Sequence, residues 1–201
     1  MQKQLPGIQK VHHRPGEGHT VDMTIMSTTG RYITAQMDLT MLPVPERRFS
    51  CDAVGVQFEA PTVRLLFAQR QPVGADLLSM LAINMVPESV AQFLSSVPAS
   101  FASEFVKLSE KLPSARVTDF TTNAAQSIVL SSTMVMAGYN GLNGCMDFYF
   151  ASPFAVQQVA TIRKMSLESI VRVNLSTGLM LALIDALGKG AEKFDWLKSG
   201  E

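Results

Sequence analysis

The residues best suited to acid–base or metal chemistry are three histidines, His12, His13 and His19, grouped near the N-terminus with Glu17 and Asp22 close by. As metal ligands they would need a fixed geometry and a fourth group. The same segment holds Pro6, Gly7, Pro15, Gly16 and Gly18, and nothing in it repeats at the period of a strand or a helix. It reads as a flexible arm over residues 1–20, and ligands on such a segment do not preorganise a site. Histidine catalysis would need a partner element, and no other histidine exists in the chain. Gly16-Glu17-Gly18 opens like a dinucleotide fingerprint, yet no strand precedes it and Val21 stands where a third small residue belongs. A phosphate loop and a nucleophile elbow are both lacking. The sequence therefore predicts no catalytic residue, no cofactor and no metal site.

A second constellation points to binding. Tyr139, Phe148, Tyr149 and Phe150 lie on strand-like segments, as do Arg64 and Arg172. Aromatic faces beside positive charge are what a single-stranded nucleic acid stacks on and tracks along. Alternation puts Met146, Phe148 and Phe150 on one, core-facing side and Asp147 and Tyr149 on the other. Arg64, Tyr149 and Arg172 are thus the candidate surface contacts, set against the plainer reading of core aromatics and solvated arginines. Asn84 and Asn174 occupy matching strand-to-helix junctions. They are either one ligand contact per half or local backbone partners.

The elements that must position these residues come from a repeat. Leu81-Ala82-Ile83-Asn84-Met85 corresponds to Val171-Arg172-Val173-Asn174-Leu175 at a shift of 90 (174 − 84), and each runs into an apolar-striped helix. Alternation predicts strands over Arg31–Leu39, Ala53–Phe58, Val63–Phe67 and Leu81–Met85, in close enough succession to imply an antiparallel meander. Pro87 and Glu88 then start a helix. Its stripe runs through Val90, Phe93, Leu94, Val97, Phe101, Phe105 and Leu108, with a kink expected at Pro98. Lys111-Leu112-Pro113-Ser114 marks a boundary. Beyond it come a strand over Ile128–Met136, a hairpin signalled by Asn140-Gly141 and Asn143-Gly144, and a returning strand. Residues 153–168 are open to a loop, a short helix or a strand. After the strand through Val171, Val173 and Leu175, Ser176 or Thr177 caps a helix striped by Met180, Leu183, Ile184, Leu187, Ala191 and Phe194. The expected fold is α+β: two β-meander-plus-helix repeats, 21–112 and 113–201, each an antiparallel sheet with one long helix, packed as a pseudo-dimer.

Composition bounds the partners. Hydrophobic residues make up 47% of the 201 and charged residues 17%, below the roughly 25% usual for soluble domains. Part of the surface is therefore expected to be buried in a homo-oligomer or with a protein partner. The net charge of zero gives no overall field for a polyanion. The two cysteines, Cys51 and Cys145, form no CxxC pair, and Met1 to Lys10 lacks the apolar run of a secretory signal. A reducing, cytoplasmic setting without a membrane segment is expected.

Thr62-Val63-Arg64-Leu65-Leu66-Phe67 followed by Leu81-Ala82-Ile83-Asn84-Met85-Val86-Pro87-Glu88 resembles a family of short bacterial domains of unknown function, with a Phe-containing strand and then a strand ending in an aliphatic-x-Pro-Glu helix start. The second half has Thr177-Gly178 in place of Pro-Glu. The resemblance implies a small, non-catalytic, oligomerising domain. The duplicated plan is also similar to the Whirly and Pur single-stranded nucleic-acid binders, without the Lys-Gly-Lys motif of Whirly proteins, and to SecB-type export chaperones, whose apolar grooves suit the 12 methionines. A non-enzymatic binding or assembly protein is the leading expectation, with a nucleic-acid binder and a holdase as alternatives.

Overall fold

A computed structural model describes residues 18–29, 32–70, 77–97 and 127–194. In chain order these form β1 (His19–Thr29), β2 (Tyr32–Met37), β3 (Arg48–Ser50), β4 (Ala53–Glu59), β5 (Thr62–Arg70), β6 (Leu77–Met85), α1 (Pro87–Ser96), β7 (Ser127–Ser132), β8 (Met134–Asn140), β9 (Asn143–Phe150), α2 (Pro153–Ile162), β10 (Lys164–Ser176) and α3 (Thr177–Lys193). The class is α+β. A larger sheet of six strands runs β2-β1-β10-β9-β8 with β3 added to β10, and a smaller sheet of four runs β4-β5-β6-β7.

The two sheets share one hydrogen-bonding plan. Ala53 lies opposite Ala68 in the β4–β5 hairpin and Met134 opposite Tyr149 in the β8–β9 hairpin, a displacement of 81 at both positions (134 − 53, 149 − 68). On the next ladder Val63 faces Met85 and Gly144 faces Leu175, displaced by 81 and 90 (144 − 63, 175 − 85). The nine extra residues (90 − 81) enter between β9 and β10, where α2 sits. The short strand before each hairpin leaves for the opposite sheet and pairs in parallel there. Asn84 of β6 faces Ser131 of β7, and Asn174 of β10 faces Ser50 of β3. Hydrogen bonding thus crosses the 112/113 division in both directions.

One core lies between the sheets. Val54, Val63, Leu65, Phe67, Leu81, Ile83 and Met85 of the smaller sheet meet Val135, Met146, Phe148, Val171, Val173 and Leu175 of the larger one, with Val90 and Phe93 of α1 and Met180, Leu183 and Leu187 of α3. Phe67 and Phe148, themselves 81 apart, meet edge to face with centroids 5.7 Å apart and planes at 66°. The helices also cross over, α1 packing on β5 and β8, and α3 on β4, β9 and β10. Pro87 and Glu88 open α1 as the sequence predicts, and Ser176 caps α3, its hydroxyl accepting from the Leu179 amide.

Several expectations change. The strand at 32–37 does not join a four-strand meander: Pro43 and Pro45 follow it, and it pairs with β1 on the larger sheet, leaving β4–β6 as the antiparallel run. Neither sheet is wholly antiparallel, since β3 and β7 are parallel additions. The Ile128–Met136 stretch is two strands, because the Ser132 hydroxyl donates to the carbonyls of Met134 and Tyr149 (both 2.8 Å) and turns the chain at Thr133. Asn140-Gly141 makes the hairpin turn, with Gly141 at φ 60°, whereas Asn143-Gly144 belongs to β9. Residues 153–162 are a helix, and β10 starts at Lys164. His19 and Thr20 belong to β1 and not to an arm, and β1 is a strand outside the predicted set although Val21, Met23 and Ile25 alternate in it with Thr20, Asp22 and Thr24. Residues 1–17, the Pro98 kink, Phe101, Phe105, Leu108 and the Lys111–Ser114 boundary lie outside the described residues.

Candidate functional site

Alternation along β3, β10, β9 and β8 sends Phe49, Val173, Met146 and their neighbours into the core and leaves the intervening residues on the outer face. Register then arranges these residues in rows across the larger sheet. One row is Arg48, Arg172, Asp147, Met136, and the next is Ser50, Asn174, Cys145, Gly138. A third holds Ser176, Asn143 and Asn140. Over them lies a shallow depression of 360 Å³ bordered by Tyr139, Asn140, Asn143, Cys145, Arg172 and Asn174.

The fixed point of this face is an ion pair. Arg172 Nε donates to Asp147 Oδ1 and Nη2 to Oδ2, each at 2.6 Å, in the two-pronged geometry that a planar guanidinium forms with a carboxylate. The two side chains are 24% and 11% exposed. Hydrogen bonding to Asp147 raises the guanidinium pKa still further, so the cation is permanent. In the smaller sheet the corresponding positions, Ala82 (172 − 90) and Leu66 (147 − 81), face each other as a buried apolar pair. One plan therefore displays two chemistries at this pair of positions: an ion pair on one sheet and an apolar pair on the other, where the polar row Gln57, Arg64, Asn84, Ser131 lies one step along the same face.

Tyr149 is not a surface contact. It is 2% exposed, packed with Val21, Met165, Leu167 and the α2 residues Ala155 and Val159, and its hydroxyl donates to the Pro43 carbonyl at 3.0 Å. Burial, with Asp147 nearby, pushes its phenol up to about 12. The sequence pattern placed it on the correct face but could not show that α2 covers that face. Arg64 lies on the smaller sheet, remote in the plan from Arg172. Its Nε donates to Asn84 Oδ1 at 3.0 Å, and Nη1 lies 3.8 Å from Glu59. Asn84 thus bonds across strands to an arginine and not to local backbone. Asn84 and Asn174 do occupy equivalent ladder positions, each opposite a serine.

Asp147 reads in the sequence only as an outward strand residue, and Asn140 and Asn143 only as turn signals; none of the three is among the expected contacts. Asp147 and Arg172 are 25 residues apart, and only the β9–β10 register makes them partners. Cys51 is held by burial, and secondarily by Asp52, with its thiol pushed up to about 12, so at neutral pH it is protonated and a poor nucleophile. Among the described residues no group of three or more His, Cys, Asp or Glu could hold a metal ion, and no helix is long and apolar enough to cross a membrane. No family model, curated protein or solved structure matches the chain.

Proposed function

We propose that this is a non-enzymatic binding or assembly protein, a duplicated unit packed as a pseudo-dimer, that associates with further copies or a protein partner through its sheet surfaces. The observation that carries this reading is the outer face of the larger sheet. Its buried charges are tied up in the Arg172–Asp147 pair, exposed Arg48 adds one cation beside them, and the groups that border the depression with Arg172 are amides, a thiol and a phenol. Amides donate and accept hydrogen bonds without titrating, so such a face suits recognition of polar groups better than proton transfer. The depression is shallow and open, unlike the enclosed pockets that bury a small substrate. Free Cys51 and Cys145 fit a reducing compartment and support a cytoplasmic location.

Native mass spectrometry and sedimentation of the full chain over a wide concentration range test this reading. The expected result is a species heavier than 21.9 kDa, alone or with a co-purified protein. A 21.9 kDa monomer at every concentration, with nothing bound, would overturn it.

One observation favours a second reading, single-stranded nucleic-acid binding. Exposed Arg48 stands beside Arg172 on the same face. That reading requires salt-sensitive binding of a labelled oligonucleotide, because phosphate contacts release counterions. It also requires the binding to disappear with Arg48→Ala.

A further inference from the structure

The smaller sheet ends, among the described residues, on β7, which pairs with β6 on one side. Two adjacent rows of this sheet, one on each face, are apolar up to that edge. On the inner face Val54, Phe67 and Leu81 form a row that β7 continues with Ile128. On the outer face Leu66 and Ala82 form a row that continues with Val129. The residues on β4–β6 in these two rows that precede the edge are at most 2% exposed, and the rows then stop in solvent, with Ile128 58% and Val129 57% exposed.

The equivalent strand on the larger sheet is finished differently. Residues 81 earlier, Arg47 (128 − 81) and Arg48 (129 − 81), are both exposed and charged. Charged side chains on an edge strand discourage pairing with another chain, and a bare apolar edge invites it. The contrast extends beyond β7. Between Asp119 and Asp147 the chain has no Asp, Glu, Lys or Arg at all, which leaves β7 and β8 without a charge.

We infer that the open edge of β7 is a homodimer seam, where β7 of a second copy pairs antiparallel to join two four-stranded sheets into one. The choice of occupant follows from charge and symmetry. Two copies related by a twofold axis place the strand against itself, so any charge near the axis would meet its own like charge. A neutral strand escapes that penalty, and a charged partner would find nothing complementary here. A register centred on Val129 sets Val129 against its own copy on the outer face and Ile128 against Leu130 on the inner face. Both apolar rows then continue across the axis. Such β-branched and apolar cross-strand pairs are favourable in antiparallel ladders. β7 has six residues, so the seam gains more from backbone hydrogen bonds than from buried area. The dimer is accordingly in concentration-dependent equilibrium with monomer.

This inference rests on the assembly reading above, and its test separates the two. Sedimentation of the full-length protein is compared with Val129→Lys and Val129→Thr, each checked by its thermal melt. Lysine tolerates the site sterically, since the equivalent position in β3 already carries an arginine. The wild type should shift from 21.9 kDa toward twice that mass on concentration. Val129→Lys should weaken dimerisation about tenfold or more with an unchanged melt, and uncharged, β-branched Val129→Thr should keep it. A wild type that associates but is indifferent to Val129→Lys overturns the seam and leaves the assembly reading standing. A wild type that stays monomeric overturns the seam and, if no partner co-purifies, the assembly reading too. Hydrogen exchange on the unmodified protein gives an independent readout. The outward β7 amides should gain protection as concentration rises, and protection that does not change would contradict the seam.

Discussion

Asp147 and Arg172 hold the outer face of the larger sheet with two hydrogen bonds of 2.6 Å, while Leu66 and Ala82 fill the equivalent places on the other sheet. The same backbone thus accepts either solution, which suggests a direct swap. Asp147→Asn leaves the mostly buried Arg172 guanidinium without its countercharge and should cost about 3 kcal/mol in chemical denaturation, because desolvation is no longer offset by pairing. Asp147→Leu combined with Arg172→Ala reproduces the smaller sheet's pair. It removes both charges together and should return most of that loss, since an apolar pair often matches a buried ion pair in stability. A double variant no more stable than Asp147→Asn would contradict the equivalence of the two positions.

Element packing turns on how closely α3 approaches β4. Gly190 faces Phe58, whose ring occupies the space that a Cβ at position 190 would need. Phe58 in turn lies against Phe194, centroid to centroid 5.2 Å. Glycine is a poor helix former, about 1 kcal/mol worse than alanine, and it is present here because contact with the ring outweighs that penalty. Gly190→Ala should therefore destabilise the protein by about 1–3 kcal/mol through overpacking. Gly188, two residues away in the same helix, has nothing within 4 Å of its would-be Cβ. Gly188→Ala should instead stabilise by about 1 kcal/mol. Opposite signs in paired thermal melts are the check; the same sign at both positions would refute the close approach.

On the scale of the whole molecule, the fold does not divide at 112/113. Each sheet takes a parallel strand from across that point, α1 packs on β8 and α3 on β4, and Phe67 meets Phe148 in one core. Phe67→Ala and Phe148→Ala should each cost about 3–5 kcal/mol. Unfolding should remain a single transition in both variants, with the double variant losing less than the sum of the two because they share one contact. Separate transitions for the two halves would show that the core is divided.

Much of this was legible from residue order. The alternation in β4, β5, β6 and β9, the Pro87-Glu88 helix start, the Ser176 cap and the Asn140-Gly141 turn are local signals, fixed by backbone sterics and side-chain periodicity over a few residues. The 90-residue correspondence of Asn84 and Asn174 was visible for the same reason. Tertiary structure alone decided what depends on register and on distant covering. It made Asp147 the partner of Arg172, buried Tyr149 under α2, and sent β3 and β7 to opposite sheets in parallel. It also set Ile128 and Val129 at an edge where the other sheet has Arg47 and Arg48. Alternation tells which face a side chain takes, but what lies across that face is set by long-range pairing, and no local pattern encodes it.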